Sequence, residues 1–293
     1  MVSCDLGSNS LKFLQFDCDK KERIKELTKN VKSAEGLAKN NLISKSAITR
    51  IVLAINEAKE LFDLSEAKAV ATAAFREAKN QKEAIDEIYK QTGLKFEVID
   101  SKDEANFVRV AVESYLDNDN YMIMDLGGAS TELIFKDFDK SFDIGIVTLS
   151  DKYSDIQEGI KNEFKNIKEF AKDIKKADLF IATAGTPTTI TAFLQGIDYN
   201  SYDYKKINGY ILKLDDIYLA LDRLLKMDYD QRKRWVGVGR EDLIIAGIKM
   251  FIEILKIFDF KEVLVIDDGV CEGVAKLECK KLKNSWLFKA KLV

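Results

Sequence analysis

The sequence predicts an α/β protein of two domains built on one repeated plan. Three observations predict it: the length, an alternation of β-like and helical segments in each half, and a phrase that occurs twice. At 293 residues the chain exceeds one ordinary hydrophobic core and suits two domains. The phrase reads Asp5-Leu6-Gly7-Ser8-Asn9-Ser10, followed by an apolar run over residues 11–16. It returns as Asp125-Leu126-Gly127-Gly128-Ala129-Ser130-Thr131-Glu132, followed by Leu133-Ile134-Phe135. The two aspartates lie 120 positions apart, about one domain length. A duplicated sequence between similar patterns implies a duplicated structure.

Read in order, the first half opens on β-like runs over residues 2–6, 11–16 and 23–31, then a helical pattern over about 44–62. A strand over 67–72 leads into a helix over about 74–91, and a strand over 96–99 into another helical pattern. That last pattern carries Glu104, Val108, Ala111, Val112 and Tyr115 at helical spacing. Leu116-Asp117-Asn118-Asp119-Asn120 is polar and turn-rich, as a hinge or linker would be. The second half repeats the plan with strands over 121–125 and 131–135, a helix over 156–176, a strand over 179–183 and a helix over 188–195. Helical patterns at 214–226 and 242–258 follow, then a strand over 263–266 and a final helix with Val270, Val274 and Leu277. The stretch 276–291 is rich in lysine and reads as a solvated helix face, with a polyanion-attracting patch as the alternative.

Each phrase ends one β-like run and opens the next, so each reads as the tight turn of a β-hairpin. Glycine there would allow φ > 0 and close approach of a ligand. The hydroxyls and amide of Ser8, Asn9, Ser10, Ser130 and Thr131, with successive backbone N–H groups, can form an anion-holding nest. Asp5 and Asp125 suit a hard divalent cation that bridges phosphate oxygens. No G-x-x-x-x-G-K-[ST] occurs, and neither turn shows G-x-G-x-x-G before a helix, which excludes the commonest nucleotide loops.

Composition narrows the chemistry further. Hydrophobic residues at 46% and charged residues at 32% describe a soluble globular protein. No apolar run approaches the roughly 18 residues that span a bilayer, and the N-terminus lacks the charge-then-apolar pattern of a signal peptide. A net charge of −3 argues against broad nucleic-acid binding. There is no histidine, which removes imidazole bases, Ser-His-Asp triads and His-ligated zinc. Acid–base work falls to carboxylates, lysine, tyrosine or water. The single proline, Pro187, excludes a Pro-rich linker. Cys4, Cys18, Cys271 and Cys279 show no C-x-x-C pairing and read as buried or incidental thiols, with a reducing cytoplasm the simplest setting.

Together these segments resemble the exopolyphosphatase / guanosine pentaphosphate phosphohydrolase family of the actin-like ATPase superfamily. Asp5 to Ser10 is similar to that family's first phosphate motif and Asp125 to Glu132 to its second, D-x-G-G-G-S-T-E. Ala71-Thr72-Ala73-Ala74-Phe75-Arg76-Glu77-Ala78-Lys79-Asn80 resembles its A-T-x-A-x-R-x-A-x-N segment. Val98 to Ala105 resembles V-I-x-G-x-E-E-A, and Ala184-Gly185-Thr186-Pro187-Thr188-Thr189 resembles an adenosine-side G-G-T-x-T-T turn. Arg240 to Gly247 and Asp267 to Gly273 resemble the closing segments.

The resemblance implies two duplicated ribonuclease H-like (actin-like ATPase) domains with a central interdomain cleft. Domain I would span 1–117 plus the closing helix 270–293, and domain II 118–269. It implies Glu104 as the base that activates water, with Asp103 the weaker candidate, and Arg76 on the terminal phosphate. Ser8, Asn9, Ser10, Gly127, Gly128, Ala129, Ser130 and Thr131 would bind phosphate oxygens. Gly185 and Thr186 would lie on the nucleotide side, with Thr186 and Thr188 as helix caps the alternative. Asp5, Asp125 and Glu132 would hold Mg²⁺, or Mn²⁺, and Glu132 would also orient the water. The implied reaction releases terminal orthophosphate from inorganic polyphosphate, or converts guanosine pentaphosphate (pppGpp) to ppGpp, in a cytoplasmic homodimer that binds no nucleic acid or membrane.

Four residues depart from the family pattern. Ala129 replaces a third glycine, so φ > 0 there would be strained. Ser101 and Ala184 also replace glycines, and Cys271 stands where arginine is frequent. A kinase of the same superfamily, and a non-catalytic sensor of polyphosphate or guanosine alarmones, remain alternatives from other classes.

Overall fold

Strand pairing and packing divide the protein into two units, and the computed structural model describes residues 1–290, with side chains through Leu282. The first unit comprises residues 1–33, 42–114 and those from Asp268 onward; the second comprises Ala34–Asn41 and Tyr115–Asp267. The lysine-rich stretch expected over 276–291 passes that limit, and the solvated face expected of it lies, beyond Leu282, outside the described side chains.

The first unit holds β1 (Val2–Leu6), β2 (Ser10–Asp17), β3 (Glu22–Asn30), β4 (Lys68–Ala71) and β5 (Phe96–Val98), in the order β3-β2-β1-β4-β5. β1, β2 and β3 form an antiparallel meander, while β4 and β5 run parallel to β1. The second unit holds β6 (Tyr121–Leu126), β7 (Thr131–Phe135), β8 (Asp139–Phe142), β9 (Leu179–Thr183), β10 (Tyr210–Lys213) and β11 (Glu262–Val265). Its order is β10-β11-β9-β6-β7-β8. β6, β7 and β8 again form an antiparallel meander, and β9 and β11 again run parallel to the first strand. The two sheets therefore share one plan, and β10 is an added antiparallel edge.

Side-chain patterning explains the layers. β2 buries Leu11, Phe13, Leu14 and Phe16, the alternation of a strand packed mainly on one face. Central β6 buries Tyr121 to Met124 without a break, as a strand covered on both faces does. The Lys45–Lys59 helix starts where Ser44 accepts a hydrogen bond from the Ala47 amide, and buries Ala47, Ile51, Ala54, Ile55 and Ala58. The Ser101–Glu113 helix starts where Asp100 accepts from the Asp103 amide, and buries Glu104, Ala105, Val108, Ala111 and Val112. It stops before Tyr115, which is exposed rather than on the buried stripe the spacing predicts.

Two expected helices are broken. The span 74–91 is two helices, Ala73–Glu77 and Gln81–Thr92, because Ala78 is extended at φ −74° and ψ 131°. The span 156–176 divides at Phe164 into Ile156–Glu163 and Lys165–Lys172. β8, β10 and the Ile146–Lys152 and Tyr229–Val236 helices have no counterpart in the sequence reading. Each is short and strongly charged or weakly periodic, so propensity gives no signal.

The C-terminal helix, Val270–Ala290, packs against the Ser101–Glu113 helix within the first unit. A Cβ at Gly273 would stand 1.9 Å from the Phe107 carbonyl oxygen, so only glycine permits that approach. Lys276 Nζ donates to the Ala111 carbonyl at 2.7 Å and to Asp268 Oδ2 at 2.8 Å. Arg23 Nη2 lies 2.6 Å from Asp268 Oδ1, and Lys12 Nζ 2.6 Å from Glu272 Oε1. Burial pushes the Asp268 carboxyl up, but Arg23 and Lys276 outweigh it and hold it below the usual carboxylate range.

The cysteines require a correction. Cys18, in the β2–β3 turn, and Cys279, in the C-terminal helix, form a disulfide with a Cα separation of 5.2 Å. Only Cys4 and Cys271 are free, and both are buried. The bridge was invisible in sequence because its partners are 261 residues apart and meet only after the closing helix folds back onto β2.

Candidate active site

The two repeated phrases form the same turn in each unit. Asp5 pairs with Lys12 and Leu6 with Leu11, and the Gly7 amide donates to the Ser10 carbonyl at 2.9 Å. Asp125 pairs with Glu132 and Leu126 with Thr131, and the Gly127 amide donates to the Ser130 carbonyl at 3.0 Å. None of Gly7, Gly127, Gly128 and Ala129 has a positive φ, so the expected left-handed turn, and the strain expected at Ala129, are absent. Glycine serves close packing here. A Cβ at Gly127 would meet the Ser130 carbonyl oxygen at 3.0 Å.

Each turn has its carbonyls held from behind. The Asn9 carbonyl accepts from the Val31 and Lys32 amides, both at 2.9 Å, and the Gly7 carbonyl accepts from Ser33 Oγ. In the second unit the start of the Ile146–Lys152 helix does this work. The Ile146 amide donates to the Gly127 carbonyl at 3.0 Å, and the Val147 amide to the Gly128 carbonyl at 2.8 Å. Gly145 lies so close that a Cβ would stand 2.5 Å from the Ala129 nitrogen. With their carbonyls tied back, the amides at Ser8, Asn9, Gly128, Ala129 and Ser130 make no backbone hydrogen bond among the described residues, as an anion nest requires.

The C-terminal ends of the parallel strands place further site residues at the same sheet edge as each turn. In the first unit the Thr72 amide donates to the Leu6 carbonyl, bringing the Ala73–Glu77 helix beside the first turn. The Ile99 amide donates to the Ala71 carbonyl and leads into the Ser101–Glu113 helix. Arg76 and Glu104 meet there, Nη1 to Oε2 at 2.9 Å, and the same Nη1 donates to the Ile99 carbonyl at 3.1 Å. Glu104 is 6% exposed. Burial pushes its carboxyl above the usual glutamate range, and the opposing pull of Arg76 and Thr72 does not cancel that. Asp103, by contrast, is exposed. The two adjacent carboxylates thus differ in burial, a difference their sequence positions do not show.

In the second unit Glu132 is 1% exposed and accepts from Ser141 Oγ at 2.9 Å. Thr183 ends β9, and Ala184 then takes φ 71° and ψ −176° before the Gly185–Leu194 helix. Neither Thr186 nor Thr188 caps that helix. The Thr188 hydroxyl donates to the Ala184 carbonyl at 2.9 Å, and Pro187 sits in the first turn, where a missing amide proton costs nothing. Arg240 packs over Gly185, and Gly247 approaches Thr186 so closely that a Cβ would stand 2.5 Å from Oγ1.

Sequence reasoning missed Ser33, Gly145 and Ser141, which support the turns from segments with no motif of their own. Among the described residues no three or more His, Cys, Asp or Glu side chains converge as a metal cluster. No helix among them is long and apolar enough to cross a membrane.

A model of the Ppx/GppA phosphatase family matches residues 18–281. The chain belongs to the Ppx/GppA phosphatase family. A Ppx/GppA family member of Aquifex aeolicus has a crystal structure similar over 96% of this chain and 97% of its own, at TM-score 0.73 and 29% identity. An exopolyphosphatase from Cytophaga hutchinsonii is similar over the same shares, at TM-score 0.84 and 20% identity. Exopolyphosphatase 2 of Mycobacterium tuberculosis is 25% identical over 283 residues, covering 84% of this chain and 87% of that protein. The two units have the actin-like ATPase fold of these Ppx/GppA structures.

Proposed function

We propose that this chain hydrolyses the terminal phosphoanhydride of inorganic polyphosphate, the 5′-terminal phosphoanhydride of guanosine pentaphosphate, or both. One observation carries the reading: Glu104 is a buried carboxylate with a raised pKa, paired with Arg76 at the sheet edge that bears the first phosphate turn. The family supports it, as does the exopolyphosphatase activity named for similar proteins.

In this reading Glu104 takes a proton from water as its oxygen attacks the terminal phosphorus. The bond from that phosphorus to the bridging oxygen breaks, leaving orthophosphate and a chain one phosphate shorter. Arg76 holds Glu104 through Nη1, and its other guanidinium nitrogens make no hydrogen bond among the described residues. In this reading they donate to phosphate oxygens. The backbone amides of both turns, with Ser8, Asn9, Ser10 and Ser130, bind further oxygens. Thr131, expected among them, is fully buried and its hydroxyl donates to the Ile144 carbonyl at 2.6 Å, so it supports the turn rather than the phosphate. Gly185 and Thr186 stay on the nucleotide side.

Asp5, Asp125 and Glu132 are hard oxygen donors, and Asp125 and Glu132 are cross-strand neighbours. A pair of carboxylates suits Mg²⁺ or Mn²⁺, which substrate oxygens and water would complete. When bound, the cation would neutralise charge on the phosphates.

Side-by-side measurement of phosphate release from long-chain polyphosphate and from guanosine pentaphosphate tests the proposal. Glu104→Gln should lower kcat by about 10²–10⁴-fold. Release from neither substrate by the purified protein overturns the hydrolase reading, and full activity of Glu104→Gln overturns the role of Glu104.

A further inference from the structure

Three neighbouring strands of the second unit place Asp125, Glu132 and Ser141 in one row. Asp125 on β6 is the register partner of Glu132 on β7, and Glu132 is the register partner of Ser141 on β8. Residues directly opposite in antiparallel strands share a face, with Cβ atoms about 4.5–5.5 Å apart. The row therefore stands on one face of the sheet, beside the second phosphate turn. Its middle member is a carboxylate with 1% exposure. Its outer member donates to that carboxylate, Ser141 Oγ to Glu132 Oε1, at 2.9 Å.

The first unit repeats the row with different chemistry. Asp5 pairs with Lys12, and Lys12 with Thr28. Where the second unit has Glu132, the first has a lysine whose Nζ is 2.6 Å from Glu272. The same register thus carries a hydroxyl in third place in both units, but only in the second does the row hold two carboxylates side by side.

We infer that Ser141 is a positioning residue for Glu132, holding its carboxylate in one orientation on the face it shares with Asp125. A buried carboxylate requires donors, and a glutamate on a strand has several rotamers among which to distribute its two oxygens. A serine that is half-buried on the edge strand β8 could equally have bonded water. Its bond to Glu132 selects one rotamer and engages one oxygen. Small misplacements of a reacting group cost rate steeply, about 10²-fold for 1 Å. The inference rests on the reading of Glu132 as part of the phosphate-hydrolysing machinery.

The test compares Ser141→Ala, Ser141→Val and Ser141→Thr with wild type, using long-chain polyphosphate, steady-state kinetics and a melting curve for each. Threonine and valine match in shape and differ in the hydroxyl, so they isolate the hydrogen bond even if alanine destabilises β8. The expected result is a kcat about tenfold lower for Ser141→Ala and Ser141→Val with KM changed less than threefold, and recovery in Ser141→Thr. In a Glu132→Gln background, Ser141→Ala should lower the residual rate less than twofold, because the carboxylate it positions is gone. Wild-type kcat in Ser141→Ala and Ser141→Val, with Glu132→Gln reduced to a residual rate, overturns the inference and leaves the reading of Glu132 standing. Equal loss in Ser141→Thr and Ser141→Val also overturns it. Full activity of Glu132→Gln overturns the reading of Glu132 and the inference with it.

Discussion

One guanidinium nitrogen of Arg76, Nη1, bridges Glu104 Oε2 at 2.9 Å and the Ile99 carbonyl at 3.1 Å. The bridge ties the Ala73–Glu77 helix to the start of the Ser101–Glu113 helix, so the proposed base and its partner arrive from different strands of one sheet. It also sets the titration of Glu104. Burial favours the neutral acid, while Arg76, and then Thr72, favour the anion; burial wins, and the pKa lies above the ordinary value of 4.5. A base must be deprotonated to act, so under the proposed role of Glu104 activity should rise with pH through that elevated pKa. Arg76→Gln removes the larger of the two opposing pulls. The acidic limb of log kcat should then move to higher pH, with kcat at the plateau lowered by at least about 10²-fold through loss of charge stabilisation. A limb that stays in place or moves to lower pH in Arg76→Gln would contradict the pairing as the source of the balance.

The second phosphate turn depends on a glycine outside it. A Cβ at Gly145 would stand 2.4 Å from the Gly128 carbonyl carbon and 2.5 Å from the Ala129 nitrogen. Backbone, not a flexible side chain, blocks the space, so the turn itself must shift. Gly145→Ala should raise KM for polyphosphate or lower kcat by about tenfold or more while the first unit keeps its fold. Kinetics together with far-UV circular dichroism check this, and unchanged kinetics would show that the turn tolerates displacement.

How much of this was legible in sequence follows from where each interaction is made. The turns, Glu104 and Arg76 were readable because each lies in a contiguous phrase between β-like and helical patterns. The supports were not, since Ser141 meets Glu132 only through the register of β7 with β8, and β8 is the four-residue strand Asp-Lys-Ser-Phe. Ser33 and Gly145 act on the turn carbonyls, which no side-chain pattern encodes. The site of backbone strain was also misplaced. Ala129 has no positive φ because its turn is held by carbonyl contacts, whereas Ala184, also at a position where glycine was expected, does have one.

That contrast yields a prediction at Ala184. Its φ of 71° and ψ of −176° lie in a region that only glycine occupies at ease, and such strain costs about 1–3 kcal/mol. Glycine gives back about 0.4–1 kcal/mol through the entropy of the unfolded chain. Ala184→Gly should therefore stabilise the protein by about 1 kcal/mol, a rise in Tm of roughly 2–4 °C. Ala184→Val, with a branched Cβ at the same dihedrals, should lower Tm instead. Calorimetry on both variants checks the sign, and a lower Tm for Ala184→Gly would refute the strain.

The Cys18–Cys279 disulfide makes the last prediction. It joins the β2–β3 turn to the helix that packs on the Glu104 helix, across 261 residues of sequence. Closing so long a loop restricts the unfolded chain by up to about 5 kcal/mol, although measured effects are more often about 2–4. Reduction, or Cys18→Ser, should lower Tm by roughly 5–15 °C. The two remaining thiols should exchange into the bridge of the folded protein only slowly. Burial pushes the Cys4 thiol up to about 12 and raises Cys271 well above the ordinary thiol range, so neither supplies thiolate at neutral pH. Thiol titration of the denatured protein should accordingly find two reactive groups before reduction, Cys4 and Cys271, and all four cysteines after it. Four before reduction would mean that the bridge does not form in the purified protein. A bridge that forms but leaves Tm unchanged on reduction would instead show that Lys276, Gly273 and the Arg23–Asp268 pair hold the closing helix in place without it.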